Sequence, residues 1–222
     1  MTSEKLLIIG ASGHAKVVID IVQKEKKHTI VGLIASTNEI GKVVMGHTVI
    51  ATETDLPQIM QQHPDCSLFI AVGDNWMRHQ IYERISTLLP NATFATLIHP
   101  SAQIAAEVTI GQGTVVMAGS IINSCSNIGD FVIVNTKSSI DHDNNLGSYS
   151  SLAPNATTGG NVSIGDFTAI SISATVKHGI QIGKHVVVGA GSIVLKNIED
   201  GMVAYGTPAK NIRSRNPGEK YL

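Results

Sequence analysis

Aliphatic residues recur at every sixth position over nearly half of the chain. From Ile98 through Ile104, Ile110 and Val116 to Val194, sixteen of seventeen positions in this register carry Ile, Leu or Val, and the exception is Thr158. No insertion breaks the step. The following position is often glycine, as at Gly111, Gly129, Gly147 and Gly183, and the position four after the aliphatic residue is usually small or β-branched, as at Thr114, Ser120, Val132 and Ser150. A six-residue period matches neither the turn of an α-helix nor the alternation of an amphipathic strand. It predicts short strands ended by tight turns, with the aliphatic residue pointing into a narrow prism. Three steps close one coil, so residues eighteen apart should stack, and positions 98–200 should form between five and six coils.

Before Ile98 the pattern changes, and 17 of the 33 charged residues lie in positions 1–97. Lys5 to Ile9 reads as a buried strand, followed by a glycine-rich turn and a helix with Val17, Val18, Ile21 and Val22 at helical spacing. Thr29 to Ile34 and Ser67 to Val72 read as further strands, and Leu56 to Gln62 and Asn75 to Leu89 as helices. The expected fold class is therefore α/β plus all-β. A small Rossmann-like parallel α/β domain occupies residues 1–97, and residues 98–200 resemble a left-handed parallel β-helix of hexapeptide repeats. A capping segment and tail, 201–222, would cover the last strand edges.

The turn Gly10-Ala11-Ser12-Gly13-His14 could bring backbone N–H groups against phosphate at a helix N-terminus. It lacks the full G-x-G-x-x-G, and the second strand ends in Ala35-Ser36 rather than an acid, so a nicotinamide enzyme is excluded. The formal net charge of −1 removes bulk charge as a reason to bind nucleic acid or an anionic membrane. Val108 to Gly129 is uncharged but interrupted by Gly, Ser, Asn and Gln, so no membrane insertion is expected. Cys66 and Cys125 match no metal or redox spacing and read as free thiols in a reducing, cytoplasmic setting. No His/Cys/Asp cluster has metal spacing, so no metal is expected.

Several motifs then fall in one order along nearly the whole chain. They are Gly10 to His14, Ile70-Ala71-Val72-Gly73-Asp74-Asn75 with Arg78, Ile98-His99-Pro100, Asn135-Thr136-Lys137, Ile140-Asp141-His142-Asp143, and Gly206-Thr207-Pro208-Ala209-Lys210. The combination resembles the hexapeptide-repeat sugar acyltransferases of the PglD and NeuD type. The resemblance implies a homotrimer that uses acetyl-CoA as co-substrate and holds a nucleotide-linked amino sugar in its N-terminal domain. It makes His142 the general base and Asp143 its partner. It places Ser151, Gly160, Ile172 and Ala190 against the coenzyme, in the cleft between neighbouring prisms, and Ser12, Gly13, His14, Gly73 and Arg78 against the nucleotide sugar. The chain departs from family members that carry Asp-Asp where it has Ala35-Ser36, and from bacillosamine-type members that carry histidine where it has Ser151.

The residues support such chemistry on their own terms. Acetyl transfer from a thioester needs a deprotonated nucleophile and a base within hydrogen-bond reach, and imidazole titrates near working pH. From sequence alone either Asp141 or Asp143 could partner His142; the resemblance selects Asp143. His178 lies thirty-six residues on, two coils along the same column, with Gly160 between them, and is a second cleft candidate. Lys210 and the basic Arg213 and Arg215 of the tail could approach coenzyme phosphates or be solvated. An N-acetyltransferase feeding surface glycan synthesis leads. A sugar O-acetyltransferase of the sialic-acid type and a non-catalytic β-helix scaffold are the alternatives.

Overall fold

The computed structural model describes residues 3–221, which divide into two compact units. One comprises the chain up to Gly73 together with Met77–Pro100, and the other Asp74–Trp76 with everything from Ser101 onward.

The first unit is built on a five-stranded sheet. In chain order its elements are β1 (Glu4–Ile9), α1 (Gly13–Glu25), β2 (His28–Ile34), β3 (Val43–Val44), β4 (His47–Ala51), α2 (Leu56–Gln62), β5 (Ser67–Ile70) and, from Met77 onward, α3 (Asn75–Leu88). The spatial order is β3-β4-β2-β1-β5, parallel except where β3 meets β4. Strand β1 is central and covered on both faces, with Leu6, Leu7 and Ile8 fully buried, and so reads as a continuous apolar run. Helix α1 covers one face with Ala15, Val18, Ile19 and Val22. The β3–β4 hairpin was not foreseen. Its two-residue loop is Met45-Gly46, both at positive φ (48° and 82°), the geometry that favours Asn-Gly. A methionine in the left-handed position gave no turn signal. Strand β5 also ends two residues earlier than the pattern suggested, although the Ala71 N–H still donates to the Ile9 carbonyl at 2.7 Å.

The second unit is a triangular parallel β-helix. Two-residue strands follow one another every six residues from Gln103–Ile104 to Ile193–Val194, and as far as Thr175–Val176 each pairs in parallel with the strand eighteen residues further on. Three stacks of inner residues fill the prism. One runs Ile122, Ile140, Thr158, Val176, Val194, each at most 2% exposed. The turns are as regular as the strands. Every sixth residue from Glu107 to Gly191 has φ near +60°, so each corner contains one left-handed residue. Four are glycine or asparagine within the stretch 113–161, but Phe131, Lys137, Asp143 and Tyr149 also take this conformation, which the stacked backbone above and below enforces.

One corner carries an aromatic column. Phe131, Tyr149, Phe167 and His185 stack with ring centroids 4.6 to 5.3 Å apart and planes within 4° of parallel. The tail pairs with the strand edge at the end of the prism. Met202–Gly206 pairs in parallel with Val187–Val188, and Ala209–Ser214 returns antiparallel beside it. The arginines of this tail are engaged by the protein. Arg215 is 8% exposed and donates to the His185 carbonyl at 3.0 Å, and Arg213 pairs with Glu219 at 2.7 Å.

Candidate active site

His142 sits on the corner between the strands Ser139–Ile140 and Asn145–Leu146, immediately before the left-handed Asp143 (φ 58°). Its Nδ1 lies 2.7 Å from Asp143 Oδ2. Both side chains are about half exposed, at 55% and 51%. The two flanking acids divide the work. Asp143 engages the ring, whereas Asp141 Oδ1 accepts from the His142 backbone N–H at 2.9 Å and from Asn123 Nδ2 at 3.2 Å. The hydrogen bond that the ring donates to Asp143, reinforced by the charge of Asp141, raises the imidazole pKa above its ordinary value of 6.5.

With Nδ1 committed to Asp143, the opposite edge of the ring is left without a side-chain partner and lies over Gly160 of the next coil. A Cβ there would come within 2.5 Å of both Cε1 and Nε2. Only glycine lets the ring take this position. A cleft of about 620 Å³ opens here, lined by Asp141, His142, Gly159, Gly160, Thr175 and His178. The structure thus brings His142, Gly160 and His178 to one face of the prism. A Cβ on Gly159 would meet the His178 backbone at 2.7 Å, so the adjacent glycine serves close stacking of the coils.

Beneath the cleft are two polar side chains that sequence reasoning missed. Thr158, the one non-aliphatic inner residue, is 2% exposed, and its hydroxyl has no hydrogen-bond partner. Asn144 is fully buried and its Nδ2 lies within 3.0 Å of three backbone carbonyls. The signal for Asn144 was its place in the repeat, where the matching positions are Ser, Thr, Ala, Val or Ile.

The other residues expected at the coenzyme lie elsewhere on the prism. Ile172 is 54% exposed and Ala190 is also exposed; the two stack on a different corner, tied by the Gly191 N–H to Ile172 carbonyl bond at 2.8 Å. Ser151 pairs with Ile133 and Ala169 on a flat face. None of the three lines the His142 cleft within one chain.

In the first unit, the loop after β1 meets the loop after β5. Gly10 has φ +121°, and a Cβ there would lie 2.8 Å from the Ala71 carbonyl oxygen, so only glycine allows this approach. A cavity of about 750 Å³ opens at the C-terminal ends of the parallel strands, lined by Gly10, Ser12, Ser36, Glu39, Glu53 and Arg84 among others. That is where open parallel sheets bind ligands. Ser12 caps α1 without using its side chain, and a Cβ on Gly13 would meet open space. His14 Nε2 is buried without a partner. Burial first, and then the charge of Arg78, lower its pKa to about 4, so the ring is neutral at physiological pH.

Arg78 is 1% exposed, and its guanidinium donates to the carbonyls of Val72 (3.0 Å) and Gly73 (3.1 Å). It braces the loop that bears Gly73 and does not line the cavity. The acids of this cavity were missed because neither follows β2 directly. Glu39 arrives on a short turn, held by Lys42 and Ser36 at 2.8 Å each, and Glu53 pairs with Arg84 at 2.7 and 3.0 Å. Among the described residues no group of three acids, histidines or cysteines could hold a metal ion, and no helix is long and apolar enough to cross a membrane.

Comparison with known proteins places this geometry. Residues 5–85 match the PglD N-terminal domain family. The chain is 36% identical over 118 residues to UDP-N-acetylbacillosamine N-acetyltransferase of Bacillus subtilis, a stretch covering 52% of each protein. It therefore spans about half the length of that curated relative. Among solved structures it is similar to PerB from Caulobacter crescentus in complex with CoA and GDP-perosamine, with 35% identity and a TM-score of 0.87 over 94% of this chain and 97% of the other. It is likewise similar to the acetyltransferase domain of PglB from Neisseria gonorrhoeae in complex with acetyl coenzyme A, with 34% identity and a TM-score of 0.86 over 95% and 100%. The chain belongs to the hexapeptide-repeat sugar acyltransferases of the PglD type.

Proposed function

We propose that the protein moves an acetyl group from acetyl-CoA to the amino group of a nucleotide-linked amino sugar, as a cytoplasmic homotrimer supplying surface glycan synthesis. The observation that carries this reading is the His142–Asp143 pair at 2.7 Å with the free ring edge turned over Gly160 into an open cleft. An inert prism would need neither the paired imidazole nor the glycine beneath it.

The chemistry follows from the atoms present. The neutral acceptor amine attacks the thioester carbonyl, and a carbon–nitrogen bond forms as the carbon–sulfur bond breaks. His142 Nε2 takes the proton that the amine nitrogen loses, and the coenzyme leaves as a thiolate that is reprotonated. Asp143 fixes the ring with Nδ1–H toward its own carboxylate, leaving Nε2 as the acceptor, and stabilises the imidazolium that forms. Asp141 contributes by holding the backbone of the turn. The raised pKa makes His142 a stronger base, at the cost of activity below that pKa.

Gly160 makes room for the His142 ring, and the open cleft that both residues line fits a pantetheine arm passing close to the backbone. Ser151, Ile172 and Ala190 lie away from the cleft of their own chain, so coenzyme contact at these positions belongs to an arrangement in which neighbouring prisms face each other. In the first unit, Ser12, Gly13, His14 and Gly73 surround the loop pair at the strand ends, where the nucleotide would bind, with Arg78 as the brace of that loop. A neutral His14 can hydrogen-bond a sugar or phosphate oxygen through a protonated ring nitrogen.

Thiol release from acetyl-CoA, measured with UDP-, dTDP- and GDP-linked amino sugars offered in parallel, tests this. Release that depends on one amino sugar and is lost in His142→Ala is expected. Release with a hydroxyl acceptor alone would replace the N-acetyltransferase reading by O-acetylation, and no release with any acceptor would overturn the enzyme reading. Equilibrium sedimentation tests the trimer.

A further inference from the structure

We infer that Asn144 is a positioning residue that sets the orientation of His142 by clamping the backbone of its turn. The inference rests on His142 acting as the general base. Asn144 is fully buried, and its side-chain amide nitrogen lies 2.8 Å from the Asp141 carbonyl, 3.0 Å from the His142 carbonyl and 2.9 Å from the Gly159 carbonyl. The first two carbonyls belong to the turn that carries the base. The third belongs to the coil that forms the floor of the cleft.

The rest of the prism shows what is unusual here. At matching positions a hydroxyl makes a single short bond: Thr114 to Gly129, Ser120 to Asn135, Ser126 to Asp141 and Thr168 to Gly183 reach the carbonyl fifteen residues on, at 2.6 to 2.9 Å, and Ser138 reaches back to Asn135 in its own turn at 2.7 Å. Asn144 reaches the Gly159 carbonyl and two carbonyls of its own turn at once, sharing its two N–H hydrogens among the three. A hydroxyl has one hydrogen to donate and a primary amide has two. The change from hydroxyl to amide therefore occurs at the coil where a turn must be held in one orientation as well as stacked. The Asp141 carbonyl is doubly held, since Ser126 Oγ donates to it at 2.9 Å and also accepts from the Asn144 backbone N–H at 3.1 Å. Asn144 Oδ1 is buried with no partner, so the side chain carries an uncompensated polar atom that a serine in its place would not have. Stacking of the coils alone does not account for such a residue.

The amide reaches the ring through short covalent connections. Fixing both carbonyls fixes the peptide planes on either side of His142, and so the direction of its Cα–Cβ bond and the approach of its ring to Asp143 and Gly160. The titratable groups around the ring are Asp141, Asp143, Lys177 and His178. None of them is touched by replacing Asn144.

The test is Asn144→Ser, which leaves one hydrogen to donate, as elsewhere in the prism, and so cannot hold the Gly159 carbonyl and the turn together. Thr168→Ala, which deletes the single hydroxyl bond in another coil, serves as the control for plain loss of packing. In Asn144→Ser, kcat is expected to fall about tenfold to a hundredfold with KM for acetyl-CoA little changed, as for a misplaced base. NMR titration of the His142 ring Cε1–H signal, assigned by its absence in His142→Ala, should show its pKa falling toward 6.5 as contact with Asp143 loosens. Thr168→Ala should lower Tm comparably and move neither kcat per folded molecule nor the titration. If Asn144→Ser keeps the wild-type titration and kcat, the inference is overturned. If instead His142→Ala retains activity, the reading of His142 as base fails, and the titration still reports whether Asn144 orients the ring.

Discussion

Two corners of one prism are built from the same turn and do opposite things. On one, His142, Gly160 and His178 follow each other at the eighteen-residue stride, each just before a left-handed residue; on the other, Phe131, Tyr149, Phe167 and His185 are themselves the left-handed residues. The aromatic corner is filled. Rings stack face to face along the axis, and Gly113 stands at its start, where a Cβ would lie 2.4 Å from the Phe131 ring. The histidine corner is deliberately thinned, with a glycine where the stride would put a side chain between the two imidazoles. The hexad thus dictates backbone and interior, and leaves the corner side chains to choose between packing and chemistry.

The sharpest way to break this comparison is to remove the base. His142→Ala should lower kcat by about a thousandfold, within the range for loss of a general base, while Tm stays close to wild type because the side chain is half exposed. Steady-state thiol release beside a thermal melt reads both. Substantial residual turnover would move the chemistry away from this corner.

The next largest effect comes from refilling the thinned corner. Gly160 does not have a positive φ, so alanine is allowed by the backbone, but its methyl would meet the His142 ring at 2.5 Å. Gly160→Ala should therefore cost about a hundredfold in kcat/KM through displacement of the ring, with little loss of stability. Gly113→Ala meets a ring just as closely, yet at a φ of +66°, and should instead destabilise the fold and leave turnover per folded molecule intact. A destabilised but fully active Gly160→Ala would erase the distinction between the two corners.

The aromatic corner is then tested directly. Phe167 stacks on Tyr149 and on His185 and also meets Trp76 at 5.4 Å. Phe167→Ala should destabilise by about 2 kcal/mol, less than for a fully buried ring, and lower Tm by roughly 4–8 °C. Calorimetry reads this, and kcat at a temperature where the variant is folded should be unchanged.

These contrasts also explain what could be read without a structure. The prism was legible because its interior admits only aliphatic residues, so Thr158 alone interrupts seventeen steps. The aromatic column was hidden because its stride of eighteen crosses three turns of chain between members, and no six-residue comparison reveals it. Arg78 illustrates a different obscurity. With Ile81 and Ile85 it falls on one buried helical face, and a buried guanidinium satisfied by the Val72 and Gly73 carbonyls looks, in sequence, like a residue waiting for an anion. The pairing of His142 was ambiguous between two acids one residue away on either side. The left-handed turn at Asp143 resolves it by folding that carboxylate back toward Nδ1 and leaving Asp141 to its own backbone.

The smallest effect sharpens that last distinction. The folded environment holds the His142 pKa above 6.5, chiefly through Asp143, and an imidazole can act as a base only when neutral. Activity should therefore rise with pH through this raised value, level off above it, and fall away below it. Asp143→Asn keeps a residue that tolerates the left-handed corner and can still accept a bond from Nδ1–H, but removes the charge that stabilises the imidazolium. The rate on the plateau should drop about tenfold while the acid limb of the profile moves to lower pH, toward 6.5. The two changes have opposite consequences at acid pH, so the variant should approach the wild type there and differ most at alkaline pH. Asp141→Asn keeps the Oδ1 acceptor for the His142 N–H and leaves the ring's hydrogen bond to the Asp143 carboxylate, the largest cause of the raised pKa, in place, so its profile should move less than that of Asp143→Asn. The reverse order in measured kcat/KM profiles would assign the partnership to Asp141.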